Sequence, residues 1–208
     1  MCKDPYGKIA FAGSEGELED VTTYVESEDK LRAKVNRSGT QTVPRNKRGK
    51  DGAENPIYHK YSAVGGLKIL RDEISKTTAE YSNFEVDADN VVVTNGGKQA
   101  ILTTFMSLLD PGDEVLIPSP YWTTYPEAVK ISGGQPVIVD TEFENDFKVT
   151  VDELENKITE KTKVLVWVSP SNPTGVVYSK EEALEIYNWA FDRNIWILSD
   201  ELYEHLVY

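Results

Sequence analysis

Four short segments of this 208-residue chain carry the side chains able to do chemistry. Asn95–Gly96–Gly97–Lys98–Gln99 opens an expected helix, where two glycines bring bare backbone N–H groups and the positive end of the helix dipole to one point, which suits a phosphate. Alone, a Gly–Gly pair is weak evidence, because Gly65–Gly66 and Gly133–Gly134 also occur and read as turns. Pro118–Ser119–Pro120–Tyr121–Trp122 ends in a tryptophan that is either a platform for a planar ligand or a core aromatic, and residue type by itself favours the core. Ser169–Pro170–Ser171–Asn172–Pro173–Thr174–Gly175 presents Asn172 between prolines. Ser199–Asp200–Glu201–Leu202–Tyr203 puts Asp200 after a wholly apolar run, where a carboxylate is costly unless a positive or hydrogen-bonding partner meets it. Its plainer role is to cap the turn at 201–203.

Each segment follows an expected strand. From His59 onward helix and strand signals alternate: a helix over 66–81 with Leu67, Leu70, Ile74 and Thr78 on one face, a strand at 91–94, a helix at 98–109, a strand at 114–117 and a helix at 123–132. A strand at 136–140, a short helix at 152–158, the most apolar strand at 163–168, a helix at 180–193 with Ser179 as its N-cap, and a strand at 195–198 complete the series. Strands apolar on both faces and separated by helices imply an α/β fold in three layers, a mostly parallel sheet covered on both sides. In such sheets ligands bind outside the carboxyl ends of the strands, and all four segments fall there.

Composition excludes several classes. With 22 Lys plus Arg against 35 Asp plus Glu, a net charge of −13, the chain offers no electrostatic grip on nucleic acid. No apolar run approaches a membrane span and no signal-peptide core opens the sequence, so the expectation is a cytoplasmic protein. One cysteine, Cys2, and two histidines, His59 and His205, give no metal-ligand spacing. A seam lies near residue 58. Before it, basic and acidic residues balance at ten each and only 9 of 58 residues are Leu, Ile, Val or Phe; after it there are 12 basic and 25 acidic residues. Residues 1–58 therefore read as a leader that is disordered or not native to the protein behind it, and residues 59–208 as the folded part.

Tyr61, Gly65 and Ile69–Leu70–Arg71, with Asn95–Gly96–Gly97–Lys98–Gln99–Ala100, Pro120–Tyr121–Trp122, the Asn172 loop and Ser199–Asp200–Glu201–Leu202–Tyr203, resemble the class I/II pyridoxal-phosphate aminotransferases of fold type I. Within that family the likeness is to bacterial aspartate aminotransferases. It covers about residues 59–208, with the motifs in order, and does not extend to residues 1–56. The resemblance implies that 59–208 is the front half of the cofactor-binding large domain and that the full-length protein exchanges an amino group between aspartate, or a similar amino acid, and a 2-oxo acid. It also implies roles. Gly97 and Lys98 would offer N–H groups to the cofactor phosphate, Trp122 would stack on the pyridine ring, and Asn172 would bond the ring's phenolic oxygen and orient the substrate carboxylate. Asp200 would face the pyridine nitrogen, and Tyr203 would donate to the ring oxygen. Tyr61 would reach the phosphate of a neighbouring subunit, implying a homodimer. Lys98 sits where some members hold a cation for a distal substrate carboxylate, although a solvated lysine at a helix start fits as well.

The imine-forming lysine of the family lies downstream of the Asp200–Tyr203 segment, and no lysine follows Asp200 here. Lys161, Lys163 and Lys180 read as surface charges. The expectation is a fragment, inactive by itself and marginally folded, that contains no catalytic residue. His205 reads as structural, His59 as exposed, and Glu142, Glu144, Asp146, Asp152, Glu153 and Glu155 as a solvated face. Two other functions fit the same residues: a lyase with the same cofactor, and a non-catalytic sensing or interaction protein. The second would carry a basic DNA-binding module in front, which residues 1–58 do not resemble. A nicotinamide dehydrogenase fails because no G-x-G-x-x-G follows a strand.

Overall fold

The computed structural model describes residues 9–11, 61, 63–82 and 85–207. These fall into two compact units, which part between Gly96 and Gly97 rather than at the composition seam. One holds the described residues from 61 to 96, the other residues 9–11 with 97–207.

In the first unit, helix α1 (Lys68–Ser82) forms where a helix was expected. Its start is prepared by a turn in which the Gly66 N–H donates to Ala63 O at 2.9 Å, with Gly66 at φ +94°, a conformation glycine adopts without penalty. The expected strand at 91–94 does not form. Asp87 caps a 3-10 turn, Ala88–Asn90, and the Val91 N–H closes it onto Ala88 O. Val93 then gives its N–H to Gly65 O at 3.0 Å while Val92 stays exposed. Val93 packs against glycine: a Cβ on Gly66 would come within 2.8 Å of Val93 Cβ.

The second unit is built on five parallel strands, β1 (Ile9–Phe11), β2 (Glu114–Pro118), β3 (Gln135–Val139), β4 (Thr162–Val168) and β5 (Trp196–Asp200), in the order β1-β5-β4-β2-β3. Strand β1 lies in residues 1–58, the leader read from composition as disordered or not native to the protein behind it. The rest of residues 1–58, and His59 with the exposure expected of it, lie outside the described residues.

Alternation along the strands makes two apolar layers. Val115 and Ile117 of β2, Val164 and Val166 of β4 and Leu198 of β5 face helices α2 (Gly97–Leu108) and α3 (Thr124–Ile131) through Ile101, Phe105, Tyr125 and Val129. Leu116, Leu165, Trp167 and Ile197 face the other way, against Leu154 of α4 (Val151–Glu155) and Ile186, Trp189 and Ala190 of α5 (Lys180–Asp192). Because both faces are covered, β4 is apolar throughout its buried stretch. The result is the expected three-layer α/β/α arrangement.

Helix starts follow from the sequence. Ser179 caps α5 as expected, its hydroxyl accepting the Glu182 N–H, and Thr150 and Glu153 form the same reciprocal box at α4. Glu153 is thereby a structural residue and not only part of a solvated face. Glu155 also has partners, the Trp189 indole N–H at 2.7 Å and the Arg193 guanidinium at 2.9 Å. Strand β5 runs two residues further than expected and includes Asp200, which stands on the strand's last position instead of just beyond it. Among the described residues no helix is long and apolar enough to cross a membrane.

Candidate active site

Parallel pairing aligns the strand ends. Asp200 sits beside Val168 of β4 and Phe11 of β1, so β4 and β5 finish at one edge, and the Asn172 loop, the turn after Asp200 and the α2 start all belong to the unit built on that sheet. Asp200 is half-buried there. The partner that its burial demands is Tyr125, whose phenol donates to Oδ2 at 2.6 Å; the Leu202 N–H donates to Oδ1 at 3.2 Å. The turn-capping role and the site role therefore coexist, one on each oxygen.

Tyr125 is 1% exposed, in the first turn of α3. Burial first, then the Asp200 charge, holds its phenol proton far above the ordinary tyrosine range, with the Tyr203 phenol adding to the same effect. A carboxylate can only accept, so the bond has one direction, phenol to Asp200.

Trp122 stands beside this pair, its ring edge-on to Tyr125 at 5.7 Å between centroids and 89° between planes. It is half-buried, packed at the border of the α2–α3 core layer, so it is both a core aromatic on one side and an open ring on the other. Lys98, exposed in the first turn of α2, places Nζ 5.7 Å from the Trp122 ring centroid. Lys98, Trp122, Tyr125 and Asp200 thus form one continuous line of contacts from a helix start to a strand end.

At that helix start, a Cβ on Gly97 would meet nothing within 4 Å. The Cβ side of Gly97 is thus uncrowded, at a helix start whose first N–H groups have no partner within the helix. Asn172 and Tyr125 line a common cleft with Ser119, Tyr121, Ser171 and Tyr178. The Asn172 loop is closed by the Gly175 N–H onto Ser171 O at 2.7 Å and the Ser171 N–H onto Val176 O at 3.0 Å. Tyr203 is half-buried in the turn after Asp200, where its carbonyl accepts the Leu206 N–H at 2.8 Å. Tyr61 is fully exposed and belongs to the other unit. His205 is exposed beside Glu204, with Nε2 3.6 Å from Oε1.

Sequence reasoning required a partner for Asp200 and missed Tyr125. The available signal was a tyrosine three residues after Trp122 on the apolar face of an expected helix, since a buried phenol finds a hydrogen-bond partner. The set fits the cofactor that the motifs imply: an uncrowded helix start, a half-exposed ring and a hydrogen-bonded carboxylate.

The family described as aminotransferase class I and II matches residues 30–208. The chain belongs to that family. The match begins inside the segment that bears no motif. An aspartate aminotransferase of Streptomyces avermitilis is 52% identical over 158 residues, 76% of this chain and 39% of its own length. One from Bacillus subtilis is 45% identical over 154 residues, 74% of this chain and 39% of its own. The solved aspartate aminotransferase of Thermus thermophilus with maleate superposes with a TM-score of 0.72 at 33% identity, over 97% of this chain and 45% of that one. The aminotransferase segment described here thus spans about two fifths of the length of these two curated relatives.

Proposed function

We propose that the full-length protein is a pyridoxal-phosphate aminotransferase that passes an amino group between aspartate, or a similar amino acid, and a 2-oxo acid. The observation that carries this is the Asp200 carboxylate at the end of β5, gripped on both oxygens and joined through Tyr125 to the Trp122 ring. When bound, the cofactor supplies a sink for the electron pair left as the substrate Cα–H bond breaks.

The chain's residues serve that chemistry from separate elements. Asp200 holds the proton on the pyridine nitrogen, because a negative partner there favours the charged form. Gly97 and Lys98 give backbone N–H groups to the phosphate, with the α2 dipole adding to the attraction. Trp122 would stack on the bound ring. Asn172 and Tyr203 would hold its phenolic oxygen by hydrogen bonds, and Asn172 would orient the substrate α-carboxylate. Lys98 attracts the distal carboxylate of a dicarboxylic substrate, a choice favoured by relatives named aspartate aminotransferases and by the maleate of the Thermus structure. Tyr61 contacts the phosphate of a second subunit in a cytoplasmic homodimer.

Since no lysine follows Asp200, the imine-forming lysine is not among these residues, and residues 1–208 alone are read as inactive. The test uses the full-length protein: addition of pyridoxal phosphate followed by dialysis should leave a yellow preparation that moves the amino group of labelled aspartate to a 2-oxo acid, with Asp200→Asn abolishing transfer. A preparation that dialyses colourless overturns the reading.

A further inference from the structure

We propose that Tyr125 is a positioning residue that fixes the Asp200 carboxylate and the Trp122 ring relative to each other, so that both act on one planar ligand. This rests on the cofactor reading above. Tyr125 is suited to the task by its burial: at 1% exposure, on the first turn of α3 and within the core layer of Phe105, Ala128 and Val129, its ring has no freedom to follow a neighbour. The neighbours follow it instead.

From one ring two contacts leave in different directions. The phenol donates to Asp200 Oδ2 at 2.6 Å, and the ring meets Trp122 edge-on at 5.7 Å. Asp200 is held from below by strand pairing to Val168 and at Oδ1 by the Leu202 N–H, leaving Oδ2 with Tyr125 as its protein donor among the described bonds. Without that donor the carboxyl group keeps one anchor and gains rotation about its Cβ–Cγ bond. A bound ring nitrogen would then meet a carboxylate of variable aim, and hydrogen bonds to charged groups are sensitive to such misplacement.

Tyr125→Phe keeps the ring and its contact with Trp122 and removes only the phenol. In full-length protein, equilibrium dialysis with pyridoxal phosphate should give a dissociation constant about tenfold higher than wild type, as expected for the loss of a hydrogen bond to a charged group. A second variant with 3-fluorotyrosine at position 125 retains the donor and should bind within about twofold of wild type; where Tyr125→Phe does not fold, p-aminophenylalanine at position 125, a weaker donor of nearly the same shape, takes its place and should raise the constant severalfold, an unchanged constant counting against the proposal. An unchanged constant in Tyr125→Phe, or a tenfold loss in the fluorotyrosine protein, overturns the proposal while leaving the cofactor reading intact. Failure of wild type to bind overturns both. Thermal melts without cofactor separate the two roles: a purely structural tyrosine would lower the melting temperature and leave the constant unmoved.

Discussion

Ser179 and Glu182 satisfy each other across the first turn of α5: the Glu182 carboxylate accepts the Ser179 N–H at 2.6 Å, and the Ser179 hydroxyl accepts the Glu182 N–H at 3.2 Å. The same carboxylate takes Lys148 Nζ at 2.9 Å, tying the loop before α4 to α5.

That double use makes Glu182 an acid-side weak point. The Ser179 N–H first, then Lys148, lowers its pKa from the ordinary 4.5. A lowered folded value means that its contribution is present above the unfolded pKa and is lost as pH falls through the folded one. Glu182→Gln, which keeps a cap but not the ion pair, should cost roughly 0.5 kcal/mol at neutral pH. Its melting temperature should fall less steeply than that of wild type below pH 4.5; parallel curves would refute the assignment.

On the alkaline side the tyrosines dominate. Burial pushes Tyr178 and Tyr187 up to about 12 from 10.0, and Tyr125 further. Raised folded values stabilise below the unfolded pKa and lose that contribution as pH rises through the folded value. Stability should therefore hold to about pH 10 and decline from there toward 12, as followed by the melting temperature. A melting temperature that stays level from pH 10 to pH 12 would contradict this.

Gly134 has no room for a side chain. A Cβ there would lie 2.8 Å from Leu109 Cδ1, 3.1 Å from Val129 Cγ1 and 3.2 Å from the Asp113 carbonyl oxygen. Leu109 can yield, but the backbone oxygen cannot move without disturbing the entry to β2. Gly134→Ala should destabilise by about 1–3 kcal/mol in chemical denaturation.

At Gly97 stability and binding should part. Its φ lies outside the left-handed region and its Cβ position is open. Gly97→Asp places a negative charge at a helix start, which favours the helix, and in the path of a phosphate, which it repels. The melting temperature should hold or rise while pyridoxal-phosphate affinity drops about tenfold or more. Equal losses in both would show that Gly97 is only a structural residue.

Much of the larger unit was legible because its strands are covered on both faces. Leu165 and Trp167 pack on one side and Val164 and Val166 on the other, so β4 announces itself as an unbroken apolar run. The same signal misled at 91–94, where three valines and a threonine run beside a glycine turn instead of in a ladder; local hydrophobicity does not distinguish the two. Strand β1 was illegible for the opposite reason, since a three-residue element takes its identity from β5 and not from its own pattern. In the site, the cost of burying Asp200 demanded a donor. Which donor depended on the rotation of α3, and a rotation is set by packing of the whole layer.

Strand order carries a timing consequence. Ile9 aligns with Leu198 and so leaves the ribosome well before the strand that it pairs with is made. Strand β1 must therefore wait, unpaired, while β2, β3 and β4 are assembled, and it reaches its place only after β5 has docked on β4. In a nascent chain that flank of the sheet closes only after β5 is made, and until it does, β5 and the carboxylate at its tip stand at an open margin.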